Sequence, residues 1–123
     1  MPDSSRQAAG KAAEAQALRY LQGQGLSLLA QNWRCTRGEL DLVMLDSDTV
    51  VFVEVRYRLH PGFGGALGSI DARKQEKLAL AAQTFLQNEP QWANHPCRFD
   101  VIALQGNGHA GQPLDWLKNA FDS

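Results

Sequence analysis

GELDLVMLDSDTVVFVEVRYR, residues 38–58, decides how this chain folds. From Glu39 to Leu45 the residues alternate, with Leu40, Leu42 and Met44 on one side and Glu39, Asp41, Val43 and Leu45 on the other. The polar run Asp46, Ser47, Asp48 predicts a tight turn, so the strands it joins run antiparallel. Thr49 to Arg58 resumes the alternation: Val51, Val53, Val55 and Tyr57 on one face, Phe52, Glu54, Arg56 and Arg58 on the other. On this register Glu39 and Asp41 share a sheet face with Glu54 and Arg56, charges set into strands that otherwise read as buried.

Before this hairpin, residues 4–22 are rich in Ala, Leu, Gln and Glu, with Ser4 or Ser5 available as a cap and Gly23 and Gly25 as a stop. They predict a helix whose stripe is Ala13, Ala17, Tyr20 and Leu21, with Glu14 and Leu18 along its edge. LSLLAQNWRC, residues 26–35, reads as a first strand. After the hairpin, LHPGFGGALGS (59–69) is a Gly-rich loop without the spacing of a phosphate-binding P-loop, and His60 beside Pro61 is an ordinary loop histidine. Ser69 is placed to cap a second helix, from Ile70 or Asp71 to about Asn88, with Leu78, Ala81, Ala82 and Phe85 inward and Pro90 beyond its end. Arg73, Lys74 and Lys77 crowd its first turns, where the helix dipole disfavours cations, so a partner carrying negative charge is implied. Residues 97–106 read as a strand, and 114–121 as a terminal strand or helical turn packing Leu114, Leu117 and Phe121 on the core. The order α-β-β-β-α-β implies an α/β sandwich around a mixed sheet.

Length and composition narrow the function classes. The 123 residues make one domain, 44% hydrophobic and 20% charged, within the ordinary globular range. No apolar run is long enough for a membrane span, and the N-terminus has no apolar stretch of a signal peptide, which points to the cytoplasm. Cys35 and Cys97 are isolated and read as reduced small hydrophobes, not as a zinc site or a disulfide. A formal net charge of −1 does not supply the footprint of a protein that coats nucleic acid through bulk charge, so any contact with DNA has to be local.

Carboxylates on a strand cost desolvation energy unless they are paired, hydrogen-bonded or bound to metal. Asp41 and Glu54, on adjacent strands with like-facing side chains, repel each other until a cation sits between them. A hard divalent ion such as Mg²⁺ suits two carboxylates, the Val55 carbonyl and waters. Arg56, two residues beyond Glu54, then points a fixed charge at an oxyanion. Together these are the parts for metal-assisted attack on a phosphodiester. The bland alternative is a Glu54–Arg56 salt bridge on a solvated face beside a lone surface Asp41.

GELDL followed by VVFVEVRYR resembles the Asp and Glu-x-Lys core of the restriction-endonuclease-like superfamily, PD-(D/E)XK. More closely, the chain is similar to the YraN family within it, related by fold to archaeal Holliday-junction resolvases. The likeness runs from about Gly10 to Phe121 and includes Gly10, Glu14, the YL at 20–21, KQEKL at 74–78, RFDVIAL at 98–104 and the closing WLKNAF. It implies one nuclease-like domain over 1–123, with its core at about 10–121. It further implies Mg²⁺ or Mn²⁺ at Asp41 and Glu54, with Arg56 at the position of the superfamily's lysine. Glu14 is then the first-helix acid joining the metal site, and Lys74 or Gln75 belongs to a basic helix approaching the DNA backbone; Glu39 either assists the metal or merely lies at the strand edge. Arginine stays protonated, so at that position it can stabilise a phosphate but cannot act as a general base.

Two functions follow. One is a metal-dependent endonuclease acting on DNA, branched structures included, an activity that suits a homodimer and needs no small-molecule cofactor. The other is a non-catalytic nucleic-acid or protein-interaction module that keeps the fold. In it Arg34, Arg37, Arg56, Arg58, Arg73, Lys74 and Lys77 contact phosphate, and affinity falls steeply with salt.

Overall fold

The computed structural model describes residues 4–58, 70–105 and 114–121. The Gly-rich loop with His60 and Ser69 therefore lies outside the described residues. The elements are α1 (Ser4–Gly23), β1 (Ser27–Cys35), β2 (Gly38–Asp46), β3 (Thr49–Arg58), α2 (Ala72–Asn88), a 3₁₀ turn (Pro90–Trp92), β4 (Cys97–Gln105) and β5 (Leu114–Phe121). They form one sheet in sequence order, β1-β2-β3-β4-β5. Among the described strands only β3 and β4 pair in parallel, because α2 carries the chain back across the sheet between them. The terminal piece left open as strand or turn is a strand.

Each face of the sheet carries one helix. On one side Ala13, Ala17 and Leu21 of α1 cover Leu42, Met44, Val51, Val53, Ile102 and Leu104. On the other, Leu78, Ala81, Ala82 and Phe85 of α2 cover Leu40, Val43, Val50, Phe52, Phe99 and Val101. The two central strands are apolar on both faces, as expected for strands with a helix on each side. Phe85 meets Trp33 and Phe52 edge to face, at ring-centroid distances of 5.4 and 6.1 Å, and thereby ties β1 to β3 through the helix. Tyr20, expected in the stripe of α1, is instead 38% exposed and lies edge-on to Trp116.

A fully buried acid, Asp100, fixes the β5 edge. It accepts hydrogen bonds from Arg98 Nε (3.0 Å), Trp116 Nε1 (2.9 Å) and the Asn119 backbone N–H (2.9 Å). Arg98 also reaches Asp46 through Nη2 at 3.0 Å. Asn119 sits at φ 52 where the β4–β5 register shifts, so the carboxylate satisfies a backbone donor displaced by the bulge. Capping of α2 differs from the sequence expectation: Asp71, not Ser69, is the N-cap, accepting from Lys74 N at 2.9 Å. Cys35 packs against the core, whereas Cys97 is exposed and is no core hydrophobe; both are free thiols. No described helix is long and apolar enough to cross a membrane.

Candidate active site

The strand alternation fails at the acid that matters most. Val43 and Leu40, three residues apart, both face α2, while Leu42 faces α1. Regular alternation had put Leu40 with Leu42 and Met44; the structure turns it over. The neighbouring strand shows the same slip, since Ala30 and Trp33 both pack on the α2 side, with Asn32 between them at φ 52. Asparagine tolerates this left-handed conformation better than most residues. The β1–β2 ribbon is thereby rotated by one residue, and the β2–β3 ladder, which begins at Asp46↔Thr49, has its last pair at Leu42↔Val53. Just beyond that pair Asp41 Oδ2 accepts the Val55 backbone N–H at 2.9 Å, so the carboxyl bridges the gap where the strands part.

Glu54 sits next to it, 5% exposed, on the α2 side of β3. Its Oε2 receives Arg56 Nη2 at 3.0 Å and Lys74 Nζ at 3.4 Å. The solvated salt bridge of the bland reading is therefore a buried one with a second cation added. Lys74 reaches it because the Asp71 cap starts α2 beside the site, and the cations in the first turn of α2 find part of their counter-charge within the chain. Arg56 Nε is buried and has no hydrogen-bond partner among the described residues. Asp41 is pushed from an ordinary 3.8 to about 8, first by burial, then by the charge of Glu54 and a side-chain hydrogen bond with it; the Val55 N–H opposes the rise. At neutral pH the Asp41 carboxyl thus keeps its proton and can donate it to the neighbouring Glu54 side chain.

A search for related sequences matches residues 13–104 to the model of the uncharacterised protein family UPF0102. This span includes Glu14, Asp41, Glu54, Arg56 and Lys74. The chain belongs to the UPF0102 family. It is 75% identical over 122 residues to a UPF0102 protein of Pseudomonas entomophila, covering 99% of both chains. It is equally 75% identical over 122 residues to one of Pseudomonas putida strain GB-1, again covering 99% of each. A UPF0102 protein of Pseudomonas syringae pv. syringae is 67% identical over 123 residues and covers 100% of both. UPF0102 is the family of the YraN resemblance, which is borne out.

Other expected site residues of this UPF0102 chain lie around the Asp41–Glu54 pair. Glu14 is half-buried on α1, and its carboxyl is raised by burial, opposed by a hydrogen bond from the Asn32 side chain, with smaller contributions from the charges of Glu39 and Glu54. Glu39 does not share the face of Glu54. The slip at Asp41 turns it to the α1 side, where it lines an open cleft with Glu14 and pairs with Arg34 at 3.5 Å. Among the described residues no group of three or more His, Cys, Asp or Glu side chains is arranged to hold a metal ion. Arg37 is exposed in the β1–β2 turn, and Arg73 and Lys77 are exposed on α2. Gln75 is turned back, donating to the Ile70 carbonyl at 3.2 Å. Arg58 ends β3, and its side chain lies outside the described residues. Asn32 escaped the sequence reading, although an asparagine inside a strand is itself a sign of a break in the pleat.

Proposed function

We propose that Asp41 and Glu54 hold Mg²⁺ or Mn²⁺ and that, with Arg56 and Lys74, they form the active site of an endonuclease acting on DNA phosphodiesters, branched DNA included. The observation that supports it is the pair itself. Two carboxyls meet at the point where β2 leaves β3, Glu54 buried and Asp41 partly so, and burial together with the charge of Glu54 raises the Asp41 carboxyl to about 8. Two hard oxygen donors suit either ion. When bound, such an ion acidifies a water and polarises a phosphoryl oxygen.

The chain's own groups supply the rest. Arg56 and Lys74 converge on one oxygen of Glu54, and together they present positive charge to a phosphate at the mouth of the site. Arg56 Nε, buried without a partner among the described residues, is a donor for a phosphate oxygen. Lys74 brings an amine to the carboxylate beside which the superfamily's lysine is replaced by Arg56. Val55 N–H fixes the orientation of Asp41 and leaves its second oxygen for the ion or the proton. Glu14 and Glu39, set back on the α1 side, add negative potential towards the metal.

Cleavage of labelled single-stranded, duplex, flap and four-way-junction DNA with Mg²⁺ or Mn²⁺ tests this, with Glu54→Gln purified in parallel. Metal-dependent cutting by the wild type that is lost in the variant is the expected result. Absence of cutting on every substrate refutes the enzyme. One observation favours the alternative of a recognition module: the Glu54 carboxylate has two cations of the chain itself, Arg56 at 3.0 Å and Lys74 at 3.4 Å, as partners. That module binds the same DNA without cutting it, with an affinity that falls steeply with salt.

A further inference from the structure

Between the N-terminal half of α1 and strand β1 an open cleft of ≈ 670 Å³ is lined by Gly10, Lys11, Glu14, Asn32, Arg34 and Glu39. Glu39 is two residues from Asp41, and Glu14 acts electrostatically on both Asp41 and Glu54, so the cleft opens beside the acid pair. Its lining is amphoteric. Lys11 and the Arg34 side chain, 78% exposed, lie outermost, whereas Glu14 is half-buried and hydrogen-bonded to Asn32. Such a wall does not attract an extended polyanion by net charge. It suits a unit that is anionic at one end and rich in hydrogen-bonding groups at the other, which describes one nucleotide.

Gly10 strengthens this. It lies inside α1, where glycine is the worst helix former apart from proline. It has no positive φ, and a Cβ built on it meets nothing within 4 Å. Neither backbone geometry nor packing among the described residues calls for glycine there. A side chain at this position would project into the cleft that Gly10 lines.

We propose that this cleft seats the nucleotide adjacent to the phosphate at Asp41 and Glu54, with Lys11 and Arg34 contacting its phosphate, Glu14 and Asn32 facing its sugar or base, and Gly10 kept bare to admit it. The inference rests on the nuclease reading and extends the substrate path from the acid pair across the α1 side of the sheet.

The test is fluorescence anisotropy of fluorescein-labelled single-stranded and four-way-junction DNA in EDTA across a salt series, with thermal unfolding of each protein alongside. Gly10→Leu is expected to weaken binding tenfold or more with a melting temperature equal to or above that of the wild type, because leucine is the better helix former. The double variant Lys11→Gln/Arg34→Gln is expected to lower the slope of log affinity against log salt by about 1 to 2, as loss of two phosphate contacts requires. Wild-type affinity in Gly10→Leu together with an unchanged slope in the double variant overturns the cleft. If Arg56→Gln still abolishes binding in that case, the nuclease site stands without it. Failure of the wild type to bind either DNA overturns both proposals.

Discussion

The raised carboxyl of Asp41 makes Asp41→Asn the most informative single substitution. A carboxyl that titrates near 3.8 when unfolded and about 8 when folded binds its proton more tightly in the native state. Its stabilising contribution is complete below the unfolded value, fades as pH rises, and is gone above the folded value. Each pH unit inside that window costs about 1.4 kcal/mol, so between about pH 5 and 7.5 the wild type loses about 3 kcal/mol through this group. Asparagine reproduces the protonated acid: its carbonyl oxygen can accept the Val55 N–H and its amide can donate to Glu54, but it does not titrate. Urea unfolding followed by circular dichroism at intervals from about pH 5 to 9 should show Asp41→Asn gaining on the wild type by about 3 kcal/mol across the lower half of the range and levelling off above about pH 8. Parallel stability curves for the two proteins would refute the raised Asp41 carboxyl, and with it the support it lends to a metal site.

Mg²⁺ at about a hundred times its dissociation constant should stabilise the wild type by about 2.7 kcal/mol in thermal unfolding and leave Asp41→Asn and Glu54→Gln unmoved; equal shifts in all three would place any ion elsewhere. Asp100→Ala strands Arg98, Trp116 Nε1 and the Asn119 N–H, and should cost about 3–5 kcal/mol in urea titration, with a loss under about 1 kcal/mol showing that the β5 clamp is dispensable. Asn32→Ala places a β-carbon residue lacking a side-chain hydrogen bond at φ 52 and should destabilise by about 1–2 kcal/mol, whereas Asn32→Gly, free of that strain, should cost less; the reverse order would mean that the rotated ribbon does not depend on this residue. Truncation of Phe85 to alanine, which removes the ring joining Trp33 to Phe52, should lower stability by about 3–5 kcal/mol by the same assay, and a cost below about 1 kcal/mol would show that α2 is held by other contacts.

What local pattern could encode was legible in the chain. The period-2 run of β3, that of β2 from Leu42 onward, the Asp-Ser-Asp turn, and the Leu78, Ala81, Ala82, Phe85 stripe each needed only neighbours within a turn or a pleat, and each stands where the sequence put it. The nearness of Asp41 to Glu54 was legible too, because the tight hairpin fixes a register whose last pair, Leu42↔Val53, brings the next residue of each strand close. Beyond the reach of local pattern lay the slip at Asn32 and Asp41, since a bulge is a compromise between two strands and shows in neither alternation alone. That slip decided that Leu40 packs under α2, that Glu39 leaves the face of Glu54 for the α1 cleft, and that the Asp41 carboxyl takes the Val55 N–H. Tertiary packing also decided that Lys74, twenty residues from Glu54 in sequence, meets its carboxylate, and that Asp100 is a buried anchor. The sequence by itself determined which residues bear charge inside the sheet. Only the folded chain determined which of those charges touch, because contact between distant segments is set by how helices and strands pack and not by the period of either.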